Sequence, residues 1–289
     1  MKFAYLIMAH NNPEQLRILL SSLDYIENEI YLHIDKKNDD INIQEMREQI
    51  KNAKIYIYKT FAVYWGDISQ TQCQIFLLSE ACKNYHDYYH LISGSDLPIK
   101  PHCKIVEFFT NNQGKQFVHF EENDFCKKKT CRYYHFFSSF IVREKSIIIK
   151  KVLSYIEKIS LKIQKILKID RQFYCGANWY SITHDLALDF LNKKDLLLNK
   201  VKWTISSDEL VLQTFLRCYS TKTYDFYAIT NMPSDYKPLM RSIDWLRGSP
   251  YTWKINDYKE LMESDNLYAR KFDITKDRKI IMEIIKQIR

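Results

Sequence analysis

Residues 88–100, YYHLISGSDLPIK, decide how the rest of the chain is read. Tyr89-His90-Leu91-Ile92 is an apolar run long enough for a buried strand and too short for a helix. It ends at Ser93-Gly94-Ser95-Asp96, small and polar residues that let a backbone turn and approach a ligand. Leu97-Pro98 then directs the chain outward, because the residue before a proline is pushed towards extended geometry. In open α/β sheets ligands bind beyond the carboxyl ends of strands, which is where this pattern puts Asp96. A strand followed by an Asx-type turn, with no ligand, is written by the same residues.

Upstream, strands and helices alternate. Phe3–Ala9 reads as a buried strand, followed by the turn His10-Asn11-Asn12 and by Pro13 at the first turn of a helix striped with Leu16, Leu19, Leu20 and Leu23. Strands follow at Glu29–Ile34, ending in Asp35, and at Lys54–Tyr58. Trp65-Gly66-Asp67 is a turn into a helix over Ile68–Cys82. Downstream come a helix over Pro101–Phe109, a strand over Gln116–Phe120, a turn Cys175–Asn178 entering a strand, a helix from Ser206 to about Leu216, a strand over Tyr224–Ile229 and a closing helix over Asp277–Ile288. This alternation predicts an α/β fold with a mixed, mostly parallel sheet flanked by helices. Without a linker or internal repeat, one continuous domain spans 1–289.

The chain has 289 residues, 46% hydrophobic and 15% aromatic, which excludes global disorder. Its apolar runs fall far short of the roughly 20 residues needed to span a bilayer, and the N-terminus lacks a cleavage site. Seven cysteines with no CxxC indicate neither a disulfide framework nor a zinc site, which points to a reducing cytoplasm. Net charge is +8, and Arg143–Arg171 alone carries nine Lys/Arg against three acids. Between those lysines, apolar residues at 149, 152, 153, 156, 159, 163, 166 and 167 are helically spaced. The pattern fits a solvated helix flanking the core, or a membrane-surface helix.

With five glycines there is no GxGxxG and no Walker loop, and GxSxG and HExxH are also absent. Glu122-Asn123-Asp124 comes closest to a carboxylate pair for a divalent ion, and it also reads as a polar turn. Four groups remain. Asp35 can accept from a ribose hydroxyl or base N–H, or simply end a strand. Asp96 is the second. Asp208-Glu209 is the third: Ser206 and Glu209 satisfy S-x-x-E, a capping box in which the Glu serves backbone donors, while the chemical alternative makes Glu209 a general base. The fourth is Arg270-Lys271, with Arg241, Arg247 and Lys254 upstream, cations able to stabilise a leaving diphosphate.

Seven segments in order, AYLIMAHNNPEQLRILLSSL, IYLHIDKK, VYWGDISQTQCQIFLL, YYHLISGSDLPIK, GANWYSIT, SSDELVLQTFL and LYARKFD, resemble the core-2/I-branching β-1,6-N-acetylglucosaminyltransferase family, which includes the peptide O-xylosyltransferases. The resemblance implies a GT-A-type nucleotide-sugar fold and inverting, metal-independent transfer from a UDP-sugar, with no cofactor. It implies Glu209 as catalytic base. The expected donor side comprises His10, Asp35, Trp65, Asp96, Arg247, Arg270 and Lys271, and the expected acceptor side Asn178, Trp179, Tyr180 and Asp208. Residues 1–120 form the nucleotide-binding half, and 121–289 the acceptor and catalytic half. Tyr251 stands where the family pattern carries an Arg, so Arg247, Lys254 or Arg270 would supply that charge. The family's N-terminal anchor is missing from the sequence, so the expectation is a bacterial, cytoplasmic version, peripheral on the inner membrane face. It would act on a glycan or lipid-linked oligosaccharide and bind no nucleic acid. The competing readings are a metal-dependent transferase using another nucleotide sugar and a nucleic-acid-binding protein using the basic helix.

Overall fold

A computed structural model describes residues 1–121, 125–228 and 236–289. Alternation along the first strand shows how the architecture is built. In β1 (Phe3–Ala9), Phe3, Tyr5 and Ile7 enter one apolar core while Ala4 and Leu6 enter another. A strand buried on both faces is what a central position in a layered α/β sheet requires. β1 pairs in parallel with β2 (Asn28–Ile34) on one side and β4 (Tyr88–Ser93) on the other, and β3 (Lys54–Tyr58) extends beyond β2. On the far side β7 (Tyr180–Thr183) runs antiparallel to β4, and β6 (Phe117–Val118) antiparallel to β7. The strand order is β3-β2-β1-β4-β7-β6. This is the expected class: α/β, with a mixed, mostly parallel sheet between helices.

One face is covered by helices Pro13–Ser22, His102–Asn111 and Arg278–Ile288, which contribute Leu16, Leu19, Ile105, Phe109, Ile281 and Ile284. The other carries Ile68–Ala81, His184–Asn192 and Val211–Cys218, with Leu77, Leu78, Leu186, Phe190, Leu212 and Phe215. All seven cysteines are free thiols.

Several elements depart from the sequence expectations. Leu97-Pro98 does not lead outward. It forms β5, antiparallel to β9 (Tyr268–Arg270), which is parallel to β8 (Arg241–Ile243), and these three make a second small sheet. Over 224–228 a single bridge, Gln116 with Phe226, replaces the expected strand, and Ile229 and Glu122-Asn123-Asp124 lie outside the described residues. The helix expected from Ser206 is instead a 3-10 turn, Ser207–Glu209, followed by the helix that begins at Val211. Helices Ile43–Gln49, His184–Asn192 and Lys194–Val201 were not foreseen.

Gln15 joins the two ends of the chain. Buried in the first helix, its Nε2 donates to Gly94 O at 3.2 Å and Phe272 O at 2.9 Å, and its Oε1 accepts from Ile274 N at 2.8 Å. Removing the amide strands these backbone groups away from water. Gln15→Ala is therefore expected to lower stability by about 2–4 kcal/mol, read as a fall in urea midpoint at unchanged m-value.

Candidate functional site

The chain leaves β1 towards β2 and returns on its other side as β4, so the carboxyl ends of β1 and β4 form a topological switch point, where such sheets bind ligands in the crevice outside the strands. Small residues make the approach close: Gly94 N donates to Met8 O at 3.0 Å, and a Cβ on Gly94 would meet the Cβ of Ala9 at 3.3 Å. His10 follows β1 and is exposed. The protein around its ring lowers its pKa; Asp35 opposes the shift, while Lys37 and Arg270 add to it, so these charges surround one point. Asp35, after β2, is buried and accepts from Lys37 N at 2.9 Å and Lys37 Nζ at 2.6 Å. Any ribose or base donor at Asp35 would share the carboxylate with Lys37. Lys37 Nζ also reaches Val63 O and lies 4.2 Å from the centre of the Tyr64 ring. Trp65 stands 83% exposed beside that ring, at the rim.

Asp96 does not open into the crevice, as the sequence suggested, because three protein donors and a second guanidinium surround it. Ser93 N is 3.0 Å from Oδ2 and Ser93 Oγ 3.1 Å from Oδ1; Arg270 Nη1 is 3.1 Å from Oδ1, and Arg241 Nη1 is 3.5 Å from Oδ2. Asp96 and Arg241 are fully buried. Burial lowers the Arg241 pKa to about 10, with Asp96 holding it up. Arg241 also donates to Tyr180 O at 3.3 Å. Arg270, on β9, is held by Asp96 and by Ser93 Oγ at 3.2 Å, and its guanidinium lies 4.3 Å from the centre of the Trp179 ring. Lys271 follows, half-buried; among the described residues its Nζ makes no hydrogen bond or ion pair.

The Ser207–Glu209 turn does not form the capping box that S-x-x-E suggested. Ser206 adopts a left-handed conformation (φ 55°) and its side chain caps nothing, so Glu209 is released from the backbone role. Two contacts from outside the turn fix it: Ser206 N donates to Gly66 O at 2.9 Å, and Gly176 N to Glu209 O at 3.0 Å. Position 176 must be glycine, since a Cβ would lie 1.9 Å from His119 O. The Glu209 carboxylate is half-exposed and faces Lys128 Nζ at 3.7 Å, which is itself 2.7 Å from Glu121. Desolvation by the surrounding protein raises the Glu209 pKa; Lys128 counteracts this and Glu121 reinforces it. Beside it, buried Asp208 accepts from Asn178 Nδ2 at 3.0 Å and Gln70 Nε2 at 3.4 Å. Burial, with the Glu209 charge adding, pushes the Asp208 pKa up to about 7.

A chain of contacts therefore joins Lys271 to Glu209. Lys271 adjoins Arg270, Arg270 stacks on Trp179, and the neighbouring Asn178 bonds Asp208. His10, Asp35, Asn178, Trp179, Glu209, Arg270 and Lys271 are thus linked along one rim, with Asp96 and Asp208 buried beneath it and Trp65 at its edge through Gly66 and Ser206. Besides Asp96, two of the expected residues are turned elsewhere. Tyr180 is buried in β7 within the core. Arg247 is neutralised by Asp257 at 2.7 Å, Glu260 at 3.3 Å and Asp244, and stacks on Tyr251 and Trp253. Sequence reasoning missed Lys128, which the run Lys127–Lys129 disguises as a solvated patch, and Arg143, whose Nη2 lies 2.6 Å from Asp67 at the start of the Ile68–Ala81 helix.

Two outcomes are expected. Asp96→Asn leaves a buried guanidinium without its counter-charge and should cost about 3–5 kcal/mol in chemical denaturation. The folded state holds the Asp208 proton more tightly than the unfolded chain does. Its contribution is therefore complete below the ordinary aspartate pKa and lost as pH rises to about 7. Asp208→Asn should gain stability relative to the native chain across that window, on the order of 1–4 kcal/mol, measured as the difference between two pH–stability curves.

Known proteins of similar sequence are xylosyltransferases. Xylosyltransferase 2 of Homo sapiens is 21% identical over 306 aligned positions, covering 97% of this chain and 33% of that protein. Xylosyltransferase oxt of Drosophila melanogaster is 30% identical over 125 positions, covering 40% of this chain and 14% of that protein. The chain thus spans a third or less of these relatives. Mouse xyloside xylosyltransferase 1, in its apo form, aligns at a TM-score of 0.36 and 12% identity, over 92% of this chain and 96% of that one. The sequence model of the Core-2/I-Branching enzyme matches residues 3–265, and the chain belongs to that family.

Proposed function

We propose that this chain is an inverting glycosyltransferase that moves a sugar from a UDP-sugar to a hydroxyl of a glycan acceptor. In this reading the nucleotide occupies the crevice of residues 1–120, and residues 121–289 supply acceptor contacts and the base. The observation that carries it is a carboxylate released from capping and raised in pKa, linked by contacts to a lysine, Lys271, whose ammonium makes no hydrogen bond or ion pair among the described residues. Glu209 takes the proton of the acceptor hydroxyl, the freed oxygen attacks the anomeric carbon from the face opposite the diphosphate, and UDP departs with the bonding pair. Lys271, with Arg270 beside it, meets the charge that develops on the leaving group. Lys128 holds the carboxylate: burial works against its own charge, but Glu121 and then Glu209 more than offset this and raise its pKa. The similar proteins are named as xylosyltransferases, which makes UDP-xylose the first donor to try, ahead of UDP-GlcNAc and other hexoses. The acceptor would be a bacterial surface polysaccharide or a lipid-linked oligosaccharide. Charge neutralisation by Arg270 and Lys271 assigns no step to a metal.

Glu209→Gln is expected to lower transfer by about 10²–10⁴-fold while UDP binding, followed calorimetrically, is retained. Near-normal turnover by this variant would remove the assignment. The acid limb of the native rate profile should lie above the ordinary glutamate range, because the base must be deprotonated and its pKa is raised. Transfer should persist in excess EDTA, and its loss under chelation would return the chemistry to a bound cation.

A further inference from the structure

The helix Ile147–Ile166 is amphipathic in the unexpected direction. The residues it buries are polar: Glu157 and Gln164. Glu157 Oε1 lies 2.9 Å from His135 Nδ1, and its Oε2 accepts from Phe137 N at 3.1 Å. Gln164 accepts from Tyr134 N at 2.7 Å and donates to Tyr134 O at 2.8 Å, as a neighbouring strand would. The apolar stripe, Ile148, Val152, Tyr155, Ile159, Ile163 and Ile166, points away from the protein, with Ile148 and Ile166 more than three-quarters exposed. Spacings of 4, 3, 4, 4 and 3 keep it on one face. Along one edge of the stripe run Lys151, Lys158, Lys162 and Lys165, all exposed and, among the described residues, without an ion pair. The one acid of the helix, Glu157, is on the buried side.

A continuous apolar stripe on the surface marks an interaction site, and its edge selects the partner. A second copy of this helix would bring lysine edge against lysine edge with no carboxylate to receive them. An anionic bilayer accepts both features, burying the stripe at the acyl boundary and holding the lysines at the headgroups. No helix among the described residues is long and apolar enough to cross a membrane, so such an element would lie in the plane of the surface. Its N-terminal side continues directly from Arg143, which is bonded to Asp67 behind the Trp65 turn, and Phe140 and Val142 are also exposed there. We infer that this outward stripe and its lysine edge dock the protein on an anionic lipid surface, with the rim of the crevice close to the membrane. The inference goes beyond the glycosyl-transfer reading and does not depend on it.

The test is flotation of the whole chain with vesicles of phosphatidylcholine alone or of equal parts phosphatidylcholine and phosphatidylglycerol, with light scattering to give the oligomeric state. The native protein should float with the anionic vesicles only, and less so as salt is raised. The double variant Ile159→Glu, Ile163→Glu and the variant Lys158→Glu, Lys162→Glu change exposed side chains, so thermal unfolding and hydrolysis of UDP-sugar in solution should not move. Each should weaken flotation by about tenfold or more. Absence of flotation at low salt would overturn the inference, as would flotation that both variants retain. So would a native dimer that the Glu variants dissociate while neither form binds vesicles. Donor hydrolysis, measured on the same samples without vesicles, reports separately on the catalytic reading.

Discussion

One carboxylate holds the rim together. Asp96 takes two guanidiniums from the second sheet and two donors from Ser93, and through them ties the carboxyl end of β4 to β8, β9 and the Trp179 segment. Burying charge is costly, and an apolar substitute is often as stable, so such a cluster is poor evidence for stability alone. Its structural consequence is more specific. Two arginines against one aspartate leave an uncompensated positive charge below the crevice, and Arg270 is among the charges that lower the His10 pKa. A floor of this kind favours an anion above it, without any side chain having to move.

Much of the main sheet is legible in the sequence itself. β1, β3 and the closing helix were recovered nearly to the residue because their hydrophobic patterns repeat often enough to be unambiguous. The second sheet was not, since strands of two or three residues, such as Leu97-Pro98 and Arg241–Ile243, carry no periodicity. The Ser206 region failed for a different reason. Its local signal for a capping box is sound, but hydrogen bonds from Ser206 to Gly66 and from Gly176 to Glu209 impose a left-handed residue and a 3-10 turn. Long-range contacts here override a local preference, and the place where they do so is the candidate base, as expected of a site at which function and propensity conflict.

Asp96 and Arg247 show the limit of reading charge from sequence. Both were identified as groups that would meet a ligand, and both are saturated by the protein itself. Lys271, at the end of the same small sheet as Arg270, makes no side-chain hydrogen bond or ion pair among the described residues. What separates an anchoring charge from an available one is the count of donors and acceptors around it, which only the tertiary structure supplies.

The long helix extends the same point to surfaces. Periodicity established that it has an apolar stripe, but not which way the stripe faces. That direction is set by two polar side chains. Gln164 completes the backbone pairing of Tyr134 and Glu157 closes on His135 and Phe137 N, and satisfying these buried groups outweighs burying isoleucines that another phase could cover. Rotating the helix to hide the stripe would leave Tyr134 N and O and Phe137 N without partners and take Glu157 away from His135. The protein thus keeps its polar bonds inside and leaves its apolar stripe for an external surface. The lysines beside that stripe account for much of the positive charge concentrated between Arg143 and Arg171.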